Sequence, residues 1–142
     1  AAGGLAALGV AERRRLVARV AELLRSLHDN GLNHRDFYLC HLLLDTAPRW
    51  RGQPPADRPL YLIDLHRVQQ RRRTPWRWRR KDLASLCYSA RRAGFGARDE
   101  LHFLRCYQAS RLRAALAARP WRQVDRRARA LHAKGVRKGY HG

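Results

Sequence analysis

Methionine is absent from the sequence and lysine is scarce, because only Lys81, Lys134 and Lys138 occur among 31 basic residues. A chain without Met does not begin at a natural start codon, so we expect it to be part of a longer protein. Acidic residues are also few, 11 against 31, and the formal net charge is +20. This balance favours a polyanionic partner. The preference for Arg suits forked contacts to phosphate, and it equally suits a codon-biased genome.

Cysteine is limited to Cys40, Cys87 and Cys106, an odd number with no Cys-x-x-Cys spacing. Such a set favours reduced, buried thiols over disulfides or a zinc site. No apolar run approaches the ~20 residues of a membrane-spanning helix, and the start AAGGLAALGV lacks the basic leader of a signal peptide. We therefore expect a cytoplasmic protein that is soluble or peripheral to a membrane.

The 142 residues fit a single domain, 1–142, with one core. Apolar residues recur at helical spacing over 11–29, and Gly31 predicts the left-handed turn that ends this helix. The apolar and aromatic runs 37–45 and 59–65 predict the two strands of a hairpin, joined by a long proline-rich connection. The first half of the chain therefore predicts a helix followed by a hairpin.

The second half of the chain is strongly basic. The stretch HRVQQRRRTPWRWRR has no consistent apolar period, so we expect an extended basic loop over 67–80. Helical patterns follow over 81–92, 98–116 and 121–138, with Pro120 separating the last, basic helix or tail. The predicted fold class is mainly α with a small β-hairpin, an α+β arrangement in which 31–66 hold the hairpin and 81–142 form the helical remainder.

Titratable residues cluster in the stretch NHRDFYLCH, residues 33–41, between two apolar runs. The predicted topology puts Asp36 in the turn after the first helix and Asp64 at the end of the second strand, so the two carboxylates should face one site. Phosphoryl transfer needs such a pair. One Asp accepts the proton of the acceptor hydroxyl, and the other holds the Mg²⁺ that neutralises the nucleotide phosphates.

Four strings carry a resemblance to a known family: GLNHRDFYLCHLLL, LYLIDLHRVQ, RRKDLASLCYSA and DELHFLRCY, which together span residues 31–107. They resemble the bacterial lipopolysaccharide core heptose kinases, members of the protein-kinase-like superfamily. The resemblance implies transfer of the ATP γ-phosphate to the 4-hydroxyl of the first heptose of the inner core. It also implies ATP and Mg²⁺ as cofactors and a location at the cytoplasmic face of the inner membrane.

The same resemblance implies a kinase-like C-terminal lobe without its N-terminal lobe. No Gly-x-Gly-x-x-Gly loop, strand Lys or helix Glu is found before Ala11, and the glycines of AAGGLAALG do not form such a loop. These parts cover the ATP phosphates in the superfamily. We therefore expect the chain to begin just past the hinge of the kinase and to be inactive alone.

By resemblance, Asp36 is the catalytic aspartate and Asp64 the metal-binding aspartate. Arg35 would support the catalytic loop, or would pair with a negative charge from the segment after Asp64. His34 would pack beneath the loop and hydrogen-bond the backbone near Asp64. Asp82, which opens the predicted helix after the basic loop, would hold the catalytic-loop backbone, although an ordinary helix cap is an alternative.

His41 stands where most kinases carry the Asn of the nucleotide and metal site, five residues after the catalytic Asp. Histidine is a poor ligand for Mg²⁺, which prefers oxygen. His41 could instead contact a phosphate, orient Asp36, or be a hydrogen-bonded histidine within the hairpin. Because of this exchange, a pseudokinase stays an alternative to an active enzyme.

The stretch RRRTPWRWRR occupies the place where kinase-like enzymes bind their acceptor, and its candidate residues are Arg71, Arg72, Arg73, Trp76 and Trp78. Arg forks suit the acidic sugars and phosphates of the lipopolysaccharide inner core, and indole rings stack on sugar or lie at a bilayer interface. The basic tail after Pro120 could bind an anionic membrane surface or a small acidic protein. The same composition also fits a solvated loop, or a basic module for anionic lipid or nucleic acid, of which nucleic acid is the weaker candidate.

Overall fold

The computed structural model describes residues 8–108 and 118–138. The described part contains four α-helices: α1 (Val10–Asp29), α2 (Trp76–Arg92), α3 (Ala97–Tyr107) and α4 (Ala118–Arg137). It also contains four short strands: β1 (Leu32–Asn33), β2 (Leu42–Leu44), β3 (Leu60–Leu62) and β4 (Gln69–Gln70). Strands β2 and β3 pair antiparallel, and so do β1 and β4. The predicted class, mainly α with a small hairpin, is confirmed.

The core lies between the helices, because each helix presents its apolar side to a neighbour. Helix α1 packs against α3, and α2 packs against α4. Val17, Ala21 and Leu24 of α1 are buried and recur every three or four residues, so they share one side of the helix. Phe37 is fully buried in the same cluster. The loop that carries Asp36 is therefore anchored in the core by the residue that follows it.

The predicted hairpin is confirmed, with β2 and β3 in the register Leu42↔Leu62, Leu43↔Tyr61 and Leu44↔Leu60. Successive side chains of a strand point to opposite sides. Leu42 and Leu62 accordingly pack against the core, whereas Leu43 and Tyr61 are exposed. The hairpin therefore has an apolar outer side that the fold of the described residues leaves uncovered.

The long connection between β2 and β3 is tied to α1. Arg19 donates a hydrogen bond to the Ala56 carbonyl oxygen (2.8 Å), and the Ala56 N–H donates to Glu12 (2.7 Å). Arg15 also forms an ion pair with Asp57. These contacts come from the polar side of α1, which therefore positions the hairpin as well as the core.

The basic segment after the hairpin departs from the prediction. We expected an extended loop over 67–80, but β4 pairs with β1, and α2 begins at Trp76. Pro75 precedes the helix with extended backbone (φ −61°, ψ 152°), as suits the residue before a first turn. The apolar period did not reveal this start because the buried residues of α2 begin only at Asp82.

The last helix predicted over 121–138 is confirmed as α4, but it begins at Ala118, two residues before Pro120. Pro120 lies in the first turn of α4, where a missing N–H removes no helical hydrogen bond. Helix α4 is basic, as predicted, and contributes Val124 and Ala128 to the core. Over 98–116 we expected one or two helices; α3 confirms helix as far as Tyr107, and residues 109–117 lie outside the described part.

The three cysteines are free. Cys87 is buried, and burial together with the nearby Glu100 raises the pKa of its thiol to about 12. Cys40 is exposed, so the prediction of buried thiols is wrong at this position. It lies in a short 3-10 turn ahead of β2, where no core residue covers it. None of the described helices is long and apolar enough to cross a membrane.

Gly31 should be irreplaceable by Ala, because its φ is +80° and a Cβ would lie 1.8 Å from the carbonyl oxygen of Arg71. Left-handed backbone alone costs a residue with a Cβ about 1–2 kcal/mol. We expect Gly31→Ala to lower the free energy of unfolding by more than this. Gly52→Ala is the matched control, since Gly52 has φ +89° but no atom within 4 Å of the added Cβ. Equal losses in urea unfolding would contradict the steric explanation.

Candidate active site

The carboxylate of Asp82 lies beneath the loop 33–41, which we call the catalytic loop, and its side chain is 0% exposed. Its Oδ1 accepts the backbone N–H of Arg35 (2.8 Å), and its Oδ2 accepts the backbone N–H of His34 (2.9 Å) and the Nε2–H of His28 (2.9 Å). Asp82 lies in the second turn of α2, so it does not cap that helix. Its hydrogen bonds hold the backbone of the catalytic loop.

Arg35 has left-handed backbone, φ 76°, which is uncommon for a residue other than glycine. Its N–H bond to Asp82 holds this conformation. The guanidinium lies over the ring of Trp78, with its central carbon 5.5 Å from the ring centre. A negative partner from the segment after Asp64 does not exist, because residues 65–81 contain no Asp or Glu.

His34 joins the catalytic loop to the hairpin. Its ring is buried, its Nε2 lies 3.0 Å from the Ile63 carbonyl oxygen, and its Nδ1 lies 3.2 Å from the backbone N of Asp36. The carbonyl oxygen must accept and the N–H must donate, so the ring proton is on Nε2. This contact reaches the backbone next to Asp64, where the resemblance implied it.

His41 lies between the two aspartates. Its Nδ1 is 2.7 Å from the backbone carbonyl oxygen of Asp36, and its Nε2 is 3.3 Å from Oδ2 of Asp64. A carbonyl oxygen only accepts, so Nδ1 carries a proton and, in the neutral ring, the lone pair of Nε2 faces a carboxylate. Two acceptors this close repel each other unless a proton or a metal ion lies between them. His41 therefore orients the Asp36 backbone and leaves Nε2 and Asp64 suited to a cation.

Asp64 has φ 61° and precedes the short 3-10 turn Leu65–Arg67. Its second carboxylate oxygen contacts Nδ1 of His66. Within 8–108 and 118–138, no three His, Cys, Asp or Glu side chains are grouped to hold a metal ion. Mg²⁺ at kinase sites needs only one or two carboxylates, because substrate phosphates and water complete its coordination. The residues present therefore fit an ion that binds together with a nucleotide.

Arg67 is a site residue that the sequence analysis did not single out. Its Nη1 donates to both carboxylate oxygens of Asp36, at 2.8 and 2.9 Å. The 3-10 turn after Asp64 brings it there. Among so many arginines, its position three residues after Asp64 is the signal that could have identified it.

The candidate acceptor residues take different positions. Trp78 lies beside the catalytic loop, against Arg35, and Arg71 lies 5.2 Å from the same ring. Arg71 also donates to the side-chain oxygens of Asn33 and Gln69, at 2.7 Å each. Its guanidinium thus holds β4 against β1, so its geometry is that of a structural residue rather than of a free acceptor contact.

The remaining three candidates lie on the surface. Trp76 donates its Nε1–H to Gln123 of α4 (2.7 Å), so the structure directs it to that helix and not to the catalytic loop. Arg72 and Arg73 are exposed, and their side chains form no hydrogen bond or ion pair with the residues that the structure describes. Of the five candidate acceptor residues, these two arginines are therefore the ones open to a ligand without breaking a contact.

A buried chain of polar groups behind Asp82 was also missed by the sequence analysis. His28 donates to Asp82 through Nε2, so its Nδ1 accepts the hydroxyl of Tyr107 (2.6 Å). Burial raises the pKa of Tyr107 to about 12. Burial also lowers the pKa of His28 and outweighs the opposing effect of Asp82. A neutral histidine therefore links the phenol to the carboxylate, and α1, α2 and α3 meet at this point.

The sequence profile of the lipopolysaccharide kinase (Kdo/WaaP) family matches residues 3–107, more than half of the chain. The chain belongs to this family. Two curated relatives are lipopolysaccharide core heptose(I) kinases named WaaP. The protein of Pseudomonas aeruginosa is 47% identical over 104 residues, 73% of this chain and 38% of the relative. That of Escherichia coli K12 is 41% identical over 105 residues, 74% of this chain and 38% of the relative.

A solved structure of this family, WaaP in complex with acyl carrier protein, has a TM-score of 0.73 to the chain and 42% sequence identity. The superposition covers 88% of this chain and 52% of the solved chain. The present member of the Kdo/WaaP family thus spans 38% of the length of the curated relatives it matches.

Replacing the buried carboxylate should destabilise this Kdo/WaaP chain strongly. In Asp82→Asn the new amide NH₂ must face one of three donors, so we expect the free energy of unfolding to fall by about 3–5 kcal/mol. Asp57→Asn removes an exposed carboxylate that pairs with Arg15 and should cost at most about 1 kcal/mol. Chemical unfolding measures both; a loss for Asp82→Asn as small as that of the control would contradict its role.

Stability should also fall with pH below about 6.5, the ordinary pKa of histidine. The pKa of His28 is lowered in the folded state, so the unfolded chain binds the proton first and the stability is complete only above that pH. His28→Gln should make the free energy of unfolding depend less on pH between about pH 5 and 6.5, where acidic side chains hardly titrate. His132 is exposed, so His132→Gln should leave this pH dependence as in the wild type. An unchanged pH dependence in His28→Gln would refute its assignment to His28.

Proposed function

We propose that the complete protein is an ATP-dependent kinase that phosphorylates a heptose hydroxyl of the lipopolysaccharide inner core, and that this chain forms its kinase-like C-terminal lobe. The observation that carries the proposal is the connection of Asp36 to the Asp64 region through His34 and His41. Relatives that are 40% to 47% identical bear the name heptose(I) kinase. Because the chain spans 38% of their length, turnover is expected only of the complete protein.

In the proposed reaction, the heptose hydroxyl oxygen bonds to the γ-phosphorus of ATP while the bond from that phosphorus to the bridging oxygen breaks, and ADP leaves. Asp36 accepts the hydroxyl proton. Arg67 binds both oxygens of this carboxylate and so positions it. Asp64, with His41 beside it, would hold Mg²⁺, which when bound supplies positive charge to the nucleotide phosphates.

An exposed apolar strip on the hairpin supports the nucleotide side of this proposal. Leu43, Tyr61 and Ile63 are 44%, 50% and 40% exposed. Ile63 directly precedes Asp64, and Leu43 lies opposite Tyr61 in the sheet, so the strip borders the proposed metal site. A planar base such as adenine would remove Leu43 and Ile63 from water, which is favourable for apolar surface.

The basic surface of α4 supports a location and a partner. Helix α4 exposes Arg122, Arg126, Arg129 and Lys134. Such a row of cations is attracted to an anionic membrane surface and to acidic proteins. We propose that the protein acts at the cytoplasmic face of the inner membrane. The solved relative is a complex with acyl carrier protein, and we propose that small acidic protein as a partner here also.

The proposal is tested by transfer of labelled phosphate from ATP to heptose-containing core lipopolysaccharide by the complete protein. Asp36→Asn should lower kcat by on the order of 10²–10⁴-fold, the usual contribution of a general base. Asp64→Asn should abolish nucleotide binding that depends on Mg²⁺. Asp57→Asn, an exposed acid outside the site, should retain activity. A folded wild type that neither binds nucleotide with Mg²⁺ nor transfers phosphate would favour a pseudokinase or an anion-binding module.

A further inference from the structure

Four positive charges surround the indole ring of Trp78 beside the catalytic loop. The charged groups lie near the ring centre at 5.0 Å for Arg77, 5.2 Å for Arg71, 5.5 Å for Arg35 and 5.7 Å for Lys81. A ring has two faces and one edge, so these cations crowd a small volume. Because all four charges lie within 5.7 Å of one ring centre, they repel each other, and a bound anion would relieve the repulsion.

Three of these cations keep free donors. Arg71 is engaged by two side-chain oxygens, but the charged groups of Arg35, Arg77 and Lys81 form no hydrogen bond or ion pair with any residue that the structure describes. Nε of Arg35 is buried without an acceptor, and so is Nε1 of Trp78. A contact with the face of a ring balances charge but occupies no N–H donor. The Nη donors of Arg35 and Arg77 and the ammonium group of Lys81 are therefore left for a ligand.

Negative charge is nearly absent around this cluster. Residues 65–81 contain no Asp or Glu. The carboxylate of Asp36 is near, but Arg67 already donates to both of its oxygens. Burial lowers the pKa of Lys81, and the charges of Arg67 and Arg35 lower it further, so these side chains share one neighbourhood. Asp82 follows Lys81, but its buried oxygens accept the backbone N–H groups of His34 and Arg35 and the ring N–H of His28. Within the described residues its carboxylate therefore forms no ion pair with these cations.

We propose that Arg35, Arg77 and Lys81, arranged around Trp78, bind an anionic group of the sugar acceptor, a carboxylate or a phosphate. This inference rests on the proposed function and names the class of its substrate. Arg35 directly precedes Asp36, and the charges of both act on Lys81. An anion bound by this cluster therefore lies near Asp36 and brings a neighbouring sugar hydroxyl to the catalytic carboxylate.

The nucleotide is the less suitable occupant of this cluster. The proposed metal ligand Asp64 and the exposed apolar strip belong to the hairpin and the turn after it, whereas Trp78, Arg77 and Lys81 belong to α2. The catalytic loop contacts both regions, because Asp36 accepts from Arg67 of the turn after Asp64 and Arg35 lies over Trp78 of α2. Direct transfer requires the γ-phosphate and the acceptor hydroxyl to meet at Asp36 from separate binding sites.

The test compares kcat/KM of the complete protein for three acceptors: core oligosaccharide with its acidic groups intact, the same after carboxyl reduction, and the same after phosphatase treatment. The wild type should lose about tenfold on removal of the recognised group, as for one charge-assisted hydrogen bond. A loss after carboxyl reduction identifies the recognised group as a carboxylate, and a loss after phosphatase treatment identifies it as a phosphate. Lys81→Gln should abolish most of the preference by raising KM for the intact acceptor, with KM for ATP unchanged.

Arg98→Gln is the control, because it removes one positive charge from an exposed position on α3, outside both the site and the basic row of α4, and should keep the preference. Arg77→Gln, also at an exposed position, is a second site variant if Lys81→Gln does not fold, and it should act in the same direction. An unchanged preference in the site variants would overturn the inference. A higher KM for ATP would overturn it as well, because the cluster would then bind the nucleotide.

Calorimetric binding of the intact and neutralised acceptors without ATP separates this inference from the proposed function. The site variants should bind the intact acceptor about tenfold more weakly and the neutralised acceptor equally well. Equal binding of both acceptors by the wild type would overturn the anion site. Failure of the wild type to transfer phosphate to any acceptor would count against the kinase proposal alone, and the binding result would still decide the anion site.

Discussion

The buried carboxylate of Asp82 is the group on which the geometry of the site depends. A carboxylate removed from water costs several kcal/mol unless donors replace its hydration. The backbone N–H groups of His34 and Arg35 and the ring of His28 are those donors. Asp82 belongs to α2, His28 to α1 and Tyr107 to α3. One buried charge thus ties three helices to the catalytic loop, and the loop conformation becomes a property of the core.

This attachment explains how two residues of the site persist in left-handed backbone. Arg35 and Asp64 have φ values of 76° and 61°. Each such residue costs about 1–2 kcal/mol and persists only where its surroundings enforce it. Asp82 holds the backbone of Arg35, and His34 holds the carbonyl oxygen of Ile63, next to Asp64. The two aspartates are therefore placed before any ligand binds, and ligand binding need not order them.

The net charge of +20 is not spread evenly as a polyanion-binding surface. Arg91 donates to both Glu100 and Asp125, so it joins α2 to α3 and α4, and Arg13 joins α1 to an acid of α3. A guanidinium suits this use because its fork reaches two acceptors at once. The exposed remainder includes the row along α4 and Arg77 beside Trp78. The net charge already counts such ion pairs as neutral, but it does not show that Arg71 and Arg19 are held by neutral oxygen atoms of the fold.

The sequence by itself determined the elements whose signals are local. The period of α1, the stop at Gly31 and the apolar and aromatic runs of the hairpin each lie within a short stretch, and they were enough to place Asp36 and Asp64 at neighbouring loop ends. Other features were decided only by the tertiary structure. These are the start of α2, the use of Arg71 as a structural residue, the ion pair of Arg67 with Asp36, and the link from His28 to Asp82 and Tyr107. The contacts of Arg67 with Asp36, of His28 with Asp82 and of His28 with Tyr107 span 31, 54 and 79 positions of the sequence. No periodicity encodes a contact over such separations, because it forms only when packing brings distant side chains together and removes them from water.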